Sequence, residues 1–267
     1  RDFSHKDEIS GFAFHDDTKK ISFLYPKLQE GCKTHISYNE KITDPHFLNS
    51  YYFQDYCPTI QSVYTITANK DIELVFKNFN LDSLNIDFSK KEKGNKITYR
   101  WEAKNVDKFE FEGGSTNFRN EIGHLIPYIS SYQYKNKKVE LLTGVEGLYK
   151  WYYSLVKEVN TKPTDNELVE LVHSLVDDKE NELEKVKAIY YWAQKNVKYV
   201  AFEYALGGFI PRNANDIYKQ KYGDCKDNSS IMKEMMKIAK IEGNLTWIGT
   251  RSIPYTYSEV PTPSVDN

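Results

Sequence analysis

Over the first 142 residues, apolar and polar positions alternate in short runs broken by polar turns, the pattern of half-buried strands. Ile21–Tyr25 stops at Pro26, and Thr34–Glu40 alternates cleanly. Ser62–Ala68 and Ile72–Phe76 flank Asn69-Lys70-Asp71, which predicts a hairpin. Leu84–Phe88 and Ile97–Ala103 flank a lysine-rich tip ending Lys93-Gly94-Asn95, which predicts a second one. Residues 104–127, with Gly113-Gly114 and Pro127, read as irregular, and Tyr128–Tyr134 and Val139–Leu142 as added edge strands. Many short strands joined by polar turns predict an antiparallel β-sandwich over residues 1–142.

The period changes at Thr143-Gly144, where a second domain, 143–267, is expected. Leu148, Trp151, Tyr152 and Leu155 form a helical stripe, ended by Asn160–Pro163. Thr164 and Glu167 have capping-box spacing ahead of a helix carrying Leu168, Leu171, Val172 and Leu175. His173 falls off that stripe and reads as exposed. A further helix spans about 180–197, an extended piece 198–204, and a loop shaped by Gly207-Gly208 and Pro211 leads to a helical turn at 214–219. Tyr222-Gly223-Asp224 then opens a helix running from Cys225 to about Ile241, with Cys225, Ser229, Met232, Met236 and Ala239 on one face and Gly243 as its stop. Residues 244–250 read as a strand, and the tail from Ser252, with Pro254, Pro261 and Pro263, as a loop.

Composition narrows the function classes. The 21 tyrosines and 14 phenylalanines among 267 residues favour β-structure and large side-chain contacts. A net charge of -2, with acids and bases interspersed, argues against nucleic acid as a partner. No apolar run has the length of a membrane span. His5, His15, His35, His46 and His124 are scattered without ligand spacing, so no metal is expected, and no motif for an organic cofactor is present. Of the three cysteines, Cys32 and Cys57 are read as small buried residues, with a bridge between them left open for an oxidising compartment. A chain starting at Arg1 rather than methionine is read as processed or trimmed.

Cys225 is the candidate for chemistry. A cysteine in the first turn of a helix meets the positive end of the macrodipole and unpaired N–H groups, which favour a thiolate. Its own backbone N–H is the candidate oxyanion donor. Asp224 and Asp227 oppose the thiolate if they face it, and Lys226 favours it. No histidine follows Cys225 in the chain, so the general base is missing from the sequence pattern. A buried structural cysteine at a helix start is the competing reading.

Gly207-Gly208-Phe209-Ile210-Pro211, Ala214, and Tyr222-Gly223-Asp224-Cys225-Lys226-Asp227, followed by a helix and Gly243, resemble the bacterial transglutaminase-like superfamily over about residues 145–267. Phe23–Gly31 and Cys57–Ser62 resemble the β-rich domain of unknown function that precedes this core in bacterial envelope proteins. The resemblance implies an α+β protein with a papain-like Cys-His-Asp core, Cys225 as its nucleophile, and acyl transfer through a thioester. It implies a protein or peptide substrate, a peptidase, amidase or protein-glutamine acyltransferase reaction, a protein or glycan ligand at the β-domain, and export to the periplasm or envelope. The family histidine and aspartate belong to strands well beyond the cysteine, so a core truncated before its last strands, an inactive fragment and an open edge at 245–250 are expected. The alternative is a non-catalytic envelope binding or scaffold module that keeps the fold.

Overall fold

A computed structural model describes residues 3–7, 13–16, 19–110, 112–203 and 205–265. In chain order the strands are β1 Phe3–Asp7, β2 Ala13–Asp16, β3 Lys19–Phe23, β4 Tyr51–Tyr52, β5 Thr59–Asn69, β6 Ile72–Phe79, β7 Asp87–Lys93, β8 Lys96–Val106, β9 His124–Tyr134 and β10 Lys137–Glu140. Then follow α1 Val145–Val156, α2 Asn166–Val176, α3 Glu182–Asn196, β11 Lys198–Tyr199, β12 Ala201–Glu203, α4 Ala214–Gln220, β13 Tyr222–Gly223 and α5 Cys225–Ile238. The fold is α+β, with antiparallel sheets in the N-terminal part followed by helices. Its contacts group into two compact units, residues 1–38 with 152–247 and residues 39–151 with 248–267.

The unit of residues 39–151 and 248–267 holds two antiparallel sheets, β5-β8-β7 and β10-β9-β4 with β6 also on β9. The β7–β8 hairpin forms, but the lysine-rich stretch expected as its tip is strand β7 itself, and the loop is Gly94-Asn95, where Gly94 meets the φ of +58° that the turn requires. The hairpin predicted around Asn69-Lys70-Asp71 does not form. β5 pairs with β8 from Thr59↔Val106 to Asn69↔Lys96, and β6 pairs with β9. The turn is a corner between sheets: Lys70 N donates to Asn95 O of one, and Gln133 N to Asp71 O beside the other. The inner faces meet at Phe53, Trp101, Ala103, Val106 and Leu125, with Phe76 packed on them.

β9, expected at an edge, is central, with β10, β4 and β6 all paired to it. Both its faces are covered. Leu125 joins the inter-sheet core, whereas its neighbour Ile126 packs with Val260 and Val265 of the C-terminal segment. That segment is irregular, as expected, yet Val260 is fully buried. Residues 24–50 form no strand, and the alternating stretch at 34–40 is exposed: alternation needs a partner strand to become a ladder.

The other unit packs α2, α3, α4 and α5 around Leu168, Val172, Ile189, Ile217, Ile231 and Met235. β12 pairs in parallel with β2. The capping box expected at Thr164 and Glu167 is absent: Asp165 occupies the cap position, and Thr164 Oγ1 donates instead to Glu234 Oε1 at 2.6 Å. The buried face of α5 is Asp227, Ser230, Ile231, Glu234 and Met235, a register displaced from the expected stripe. The helix ends at Ile238, and Lys240, at φ +60°, turns the chain before Gly243. Residues 241–250 adopt no regular structure, so the expected strand at 244–250 does not form.

Candidate active site

α5 starts on a reciprocal cap. Asp227 N donates to Asp224 Oδ1 and Asp224 N to Asp227 Oδ2, each at 3.2 Å. Two aspartates three residues apart satisfy two of the helix's unpaired N–H groups. Both carboxylates are buried and both have basic partners. Arg212 donates to Asp227 from N at 2.8 Å, Nε at 3.0 Å and Nη2 at 2.8 Å. Lys226 Nζ pairs with Asp224. The acids that seemed to threaten a thiolate are thus engaged in holding the cap. Gly223 is required beside them, because a Cβ there would lie 2.6 Å from Asp227 Cβ.

Cys225 is the first residue of α5 and is exposed, which answers the reading of a buried structural cysteine. Cys32 and Cys57 are also exposed and unpaired, correcting their expected burial. Two tyrosines feel the charge of the thiol: Tyr199, and Tyr152 of the stripe expected at 148–155. β11 runs parallel to β13 with Tyr199 beside Gly223, and Val200 N donates to Gly223 O at 3.0 Å. This brings Tyr199 close enough to Cys225 for the thiol to act on its phenol. Burial, then the charges of Cys225 and Asp224, hold the Tyr199 phenol above its ordinary range. Tyr152 is pushed up in the same way, by burial and then by Cys225. Its ring stacks on Trp247 at 5.3 Å, and Phe209 meets the other ring edge-on at 5.5 Å.

The histidines whose side chains are described make other contacts. His46 Nδ1 binds Asp44, His173 pairs with Asp177 on the exposed face of α2 as expected, and His124 is enclosed among aromatic rings. The side chains of His5 and His15 fall outside the described residues. Among the described residues, no group of three or more His, Cys, Asp or Glu side chains is arranged to hold a metal ion. No described helix is long and apolar enough to cross a membrane.

Residues 169–246, from α2 through the Cys225 helix, match the family model of the transglutaminase-like superfamily. Residues 2–110 match that of DUF3857, a domain of unknown function with a solved structure. The chain joins a DUF3857 domain to a transglutaminase-like core. No curated protein matches it. The crystal structure of a protein from Parabacteroides distasonis, named a putative protease, is similar at a TM-score of 0.53 and 15% identity, over 74% of this chain and 36% of that one. A protein from Cytophaga hutchinsonii, named a putative cysteine protease, matches at a TM-score of 0.26 and 13% identity, over 72% of this chain and 62% of that one. The chain therefore spans about a third of the length of the first. The first likeness is one of fold, and it agrees with the transglutaminase-like core.

Proposed function

We propose that Cys225 is the nucleophile of a thiol acyl-transfer reaction on a protein or peptide amide. The observation that carries this is the exposed thiol at the first turn of α5, with its own backbone N–H there and Tyr199 carried alongside by the β11–β13 pair. The thiolate attacks the amide carbonyl carbon, and the carbonyl oxygen takes the electron pair. The oxyanion accepts hydrogen bonds from Cys225 N–H and the Tyr199 hydroxyl. Collapse breaks the C–N bond, the amine leaves with a proton taken from solvent water in place of the one the thiol gave up, and an acyl thioester remains on Cys225. Water then releases the acid, or an amine takes the acyl group. Hydrolysis is the reading we favour, in line with the protease name of the Parabacteroides distasonis structure.

The cap supports this assignment. With Asp224 and Asp227 held by Lys226 and Arg212, the N-terminus of α5 presents its remaining N–H groups and its dipole to the thiol. The reaction also needs a proton acceptor, and no hydrogen bond joins Cys225 to a histidine among the described residues. The test therefore addresses the nucleophile directly. Cys32 and Cys57 are exposed internal references. Timed iodoacetamide labelling read by peptide mass spectrometry is expected to modify Cys225 at least about tenfold faster than either. Equal rates at the three sites overturn the assignment and favour a non-catalytic binding module.

A further inference from the structure

The β-sheet unit carries a feature that thiol chemistry does not use. A groove of about 480 Å³ opens beside the inter-sheet core, lined by Phe76, Phe88 and Trp101 and by Asn78, Asp82 and Asn85, among others. Trp101 is 4% exposed, and the rings of Phe76 and Phe88 meet it at 4.8 and 4.9 Å. Phe88 differs from its two neighbours: at 55% exposure it leaves most of its surface to solvent. An aromatic side chain that pairs with a core tryptophan and still stands open is an available stacking surface.

The polar residues of the groove point to the ligand's chemistry. Asn78, Asp82 and Asn85 are exposed, and their side chains have no hydrogen-bond partner among the described residues. Two amides and one carboxylate thus offer donors and acceptors beside an apolar ring. A hydrocarbon ligand would leave that capacity unused. An anionic ligand would meet Asp82, the one charged residue of the lining, with no base in the groove to offset it. A peptide adding to the sheet would need the free backbone of the edge strand β7, which Lys90, Lys91 and Lys93 guard with charge.

We infer that this groove binds a neutral carbohydrate, one sugar face stacked on Phe88 and its hydroxyls hydrogen-bonded to Asn78, Asp82 and Asn85. A pyranose suits it because each ring has an apolar C–H face and a rim of hydroxyls that both donate and accept. The volume lies within the range of small-ligand sites. This assignment stands apart from the Cys225 reading, since none of the groove residues belongs to the unit that holds the thiol.

The test is titration of the 267-residue chain with chitotriose, cellotriose, maltotriose and laminaritriose, followed by calorimetry and tryptophan fluorescence. Trigalacturonate serves as the anionic comparison and trialanine as the peptide one. Saturable binding of at least one neutral trisaccharide, with none of trigalacturonate or trialanine, is expected. Phe88→Ala and Asp82→Ala should each weaken it by about tenfold, the weight of one ring contact or one charge-assisted hydrogen bond. Both positions are exposed, and unchanged thermal unfolding will show that the variants fold. No binding by any neutral sugar, binding by trialanine alone, or neutral-sugar binding unaltered in both variants overturns the proposal.

Discussion

Arg212 holds Asp227 through its backbone N–H and two guanidinium nitrogens, and Asp227 in turn caps the helix that begins at Cys225. The same guanidinium reaches Tyr222 O at 2.8 Å and Gln220 Oε1 at 2.7 Å, and lies 4.9 Å from the Tyr222 ring. One side chain thus ties the loop after Pro211 to the turn ahead of the nucleophile. Asp227 is 2% exposed, so its charge has little water to fall back on. Arg212→Ala is expected to destabilise the helical unit by about 3 kcal/mol, most of it from the carboxylate left buried without its partner. Urea denaturation followed by circular dichroism measures this. Arg212→Lys should recover only part of the loss, because an ammonium lacks the fork that spans Asp227 and Tyr222 O.

Gly223 makes a sharper steric prediction. A Cβ at this position meets Asp227 Cβ at 2.6 Å and Arg212 Nη2 at 3.1 Å. Gly223→Ala must therefore push the capping aspartate off the helix start, at a cost of about 2 kcal/mol. Iodoacetamide labelling of Cys225 should slow in this variant while Cys32 and Cys57 keep their rates. Unchanged stability together with unchanged labelling would show that the cap does not set up the thiol.

Tyr199 separates positioning from binding. Cys225 acts on its phenol, and its backbone is carried by the β11–β13 pair. Tyr199→Phe keeps the ring and removes the hydroxyl. On a turned-over amide substrate the expected loss is about a hundredfold in kcat with little change in KM, the signature of a donor used in the transition state. A rise in KM alone would reassign Tyr199 to substrate binding.

His124 predicts how the β-sheet unit responds to acid. Its ring stacks between Tyr52 at 5.2 Å and Phe79 at 5.1 Å, Nδ1 bonds Ile122 O at 2.6 Å, and Nε2 bonds the Tyr255 hydroxyl. Burial lowers its pKa below the usual histidine range; the bond to Ile122 opposes the shift, and Arg119 adds to it. The other ionisable groups around this cluster are the phenols of Tyr52 and Tyr255, with Glu259 close to Tyr255. The unfolded chain therefore binds a proton here near pH 6.5 and the folded chain only at lower pH. This contribution to stability is complete above about 6.5 and is lost as the pH falls from there through the folded value. In His124→Gln, the difference between urea midpoints at pH 7.5 and pH 5 should shrink. An undiminished difference would place the acid sensitivity in other groups.

Local signals in the sequence carried much of this structure. The helical stripes at 148–155 and 168–175 were legible because each buries one face against its neighbours, whereas α3 forms where a helix was expected but leaves Leu183 and Tyr190 exposed and buries Ile189. Gly94 marked the β7–β8 loop for the same kind of reason, since that turn asks for a left-handed backbone. The glycine turn before Cys225 also announced a helix start, but the cap between Asp224 and Asp227, read in the sequence as acids opposing the thiolate, came only from the structure. Errors arose where two local solutions compete. Asn69-Lys70-Asp71 suits a hairpin and a sheet-to-sheet corner equally, and only the partners β8 and β9 decide. Thr164 fits a cap, but Glu234, far along the chain, takes its hydroxyl.

The sequence by itself determined the fold class and the helix that begins at Cys225, because each rests on contacts a few residues apart. Tertiary structure decided which residues surround the thiol. Tyr199 reaches the strand turn ahead of Cys225, and Arg212 the Asp227 that caps its helix, from 26 and 13 positions upstream of the cysteine, and they arrive only because β11 pairs with β13 and the loop after Pro211 folds back on the cap. It also decided that β9 is central, since burial of both its faces depends on a second sheet and on residues 253–265. Side-chain period records which faces a strand can bury, but the partner that covers each face is a matter of long-range packing.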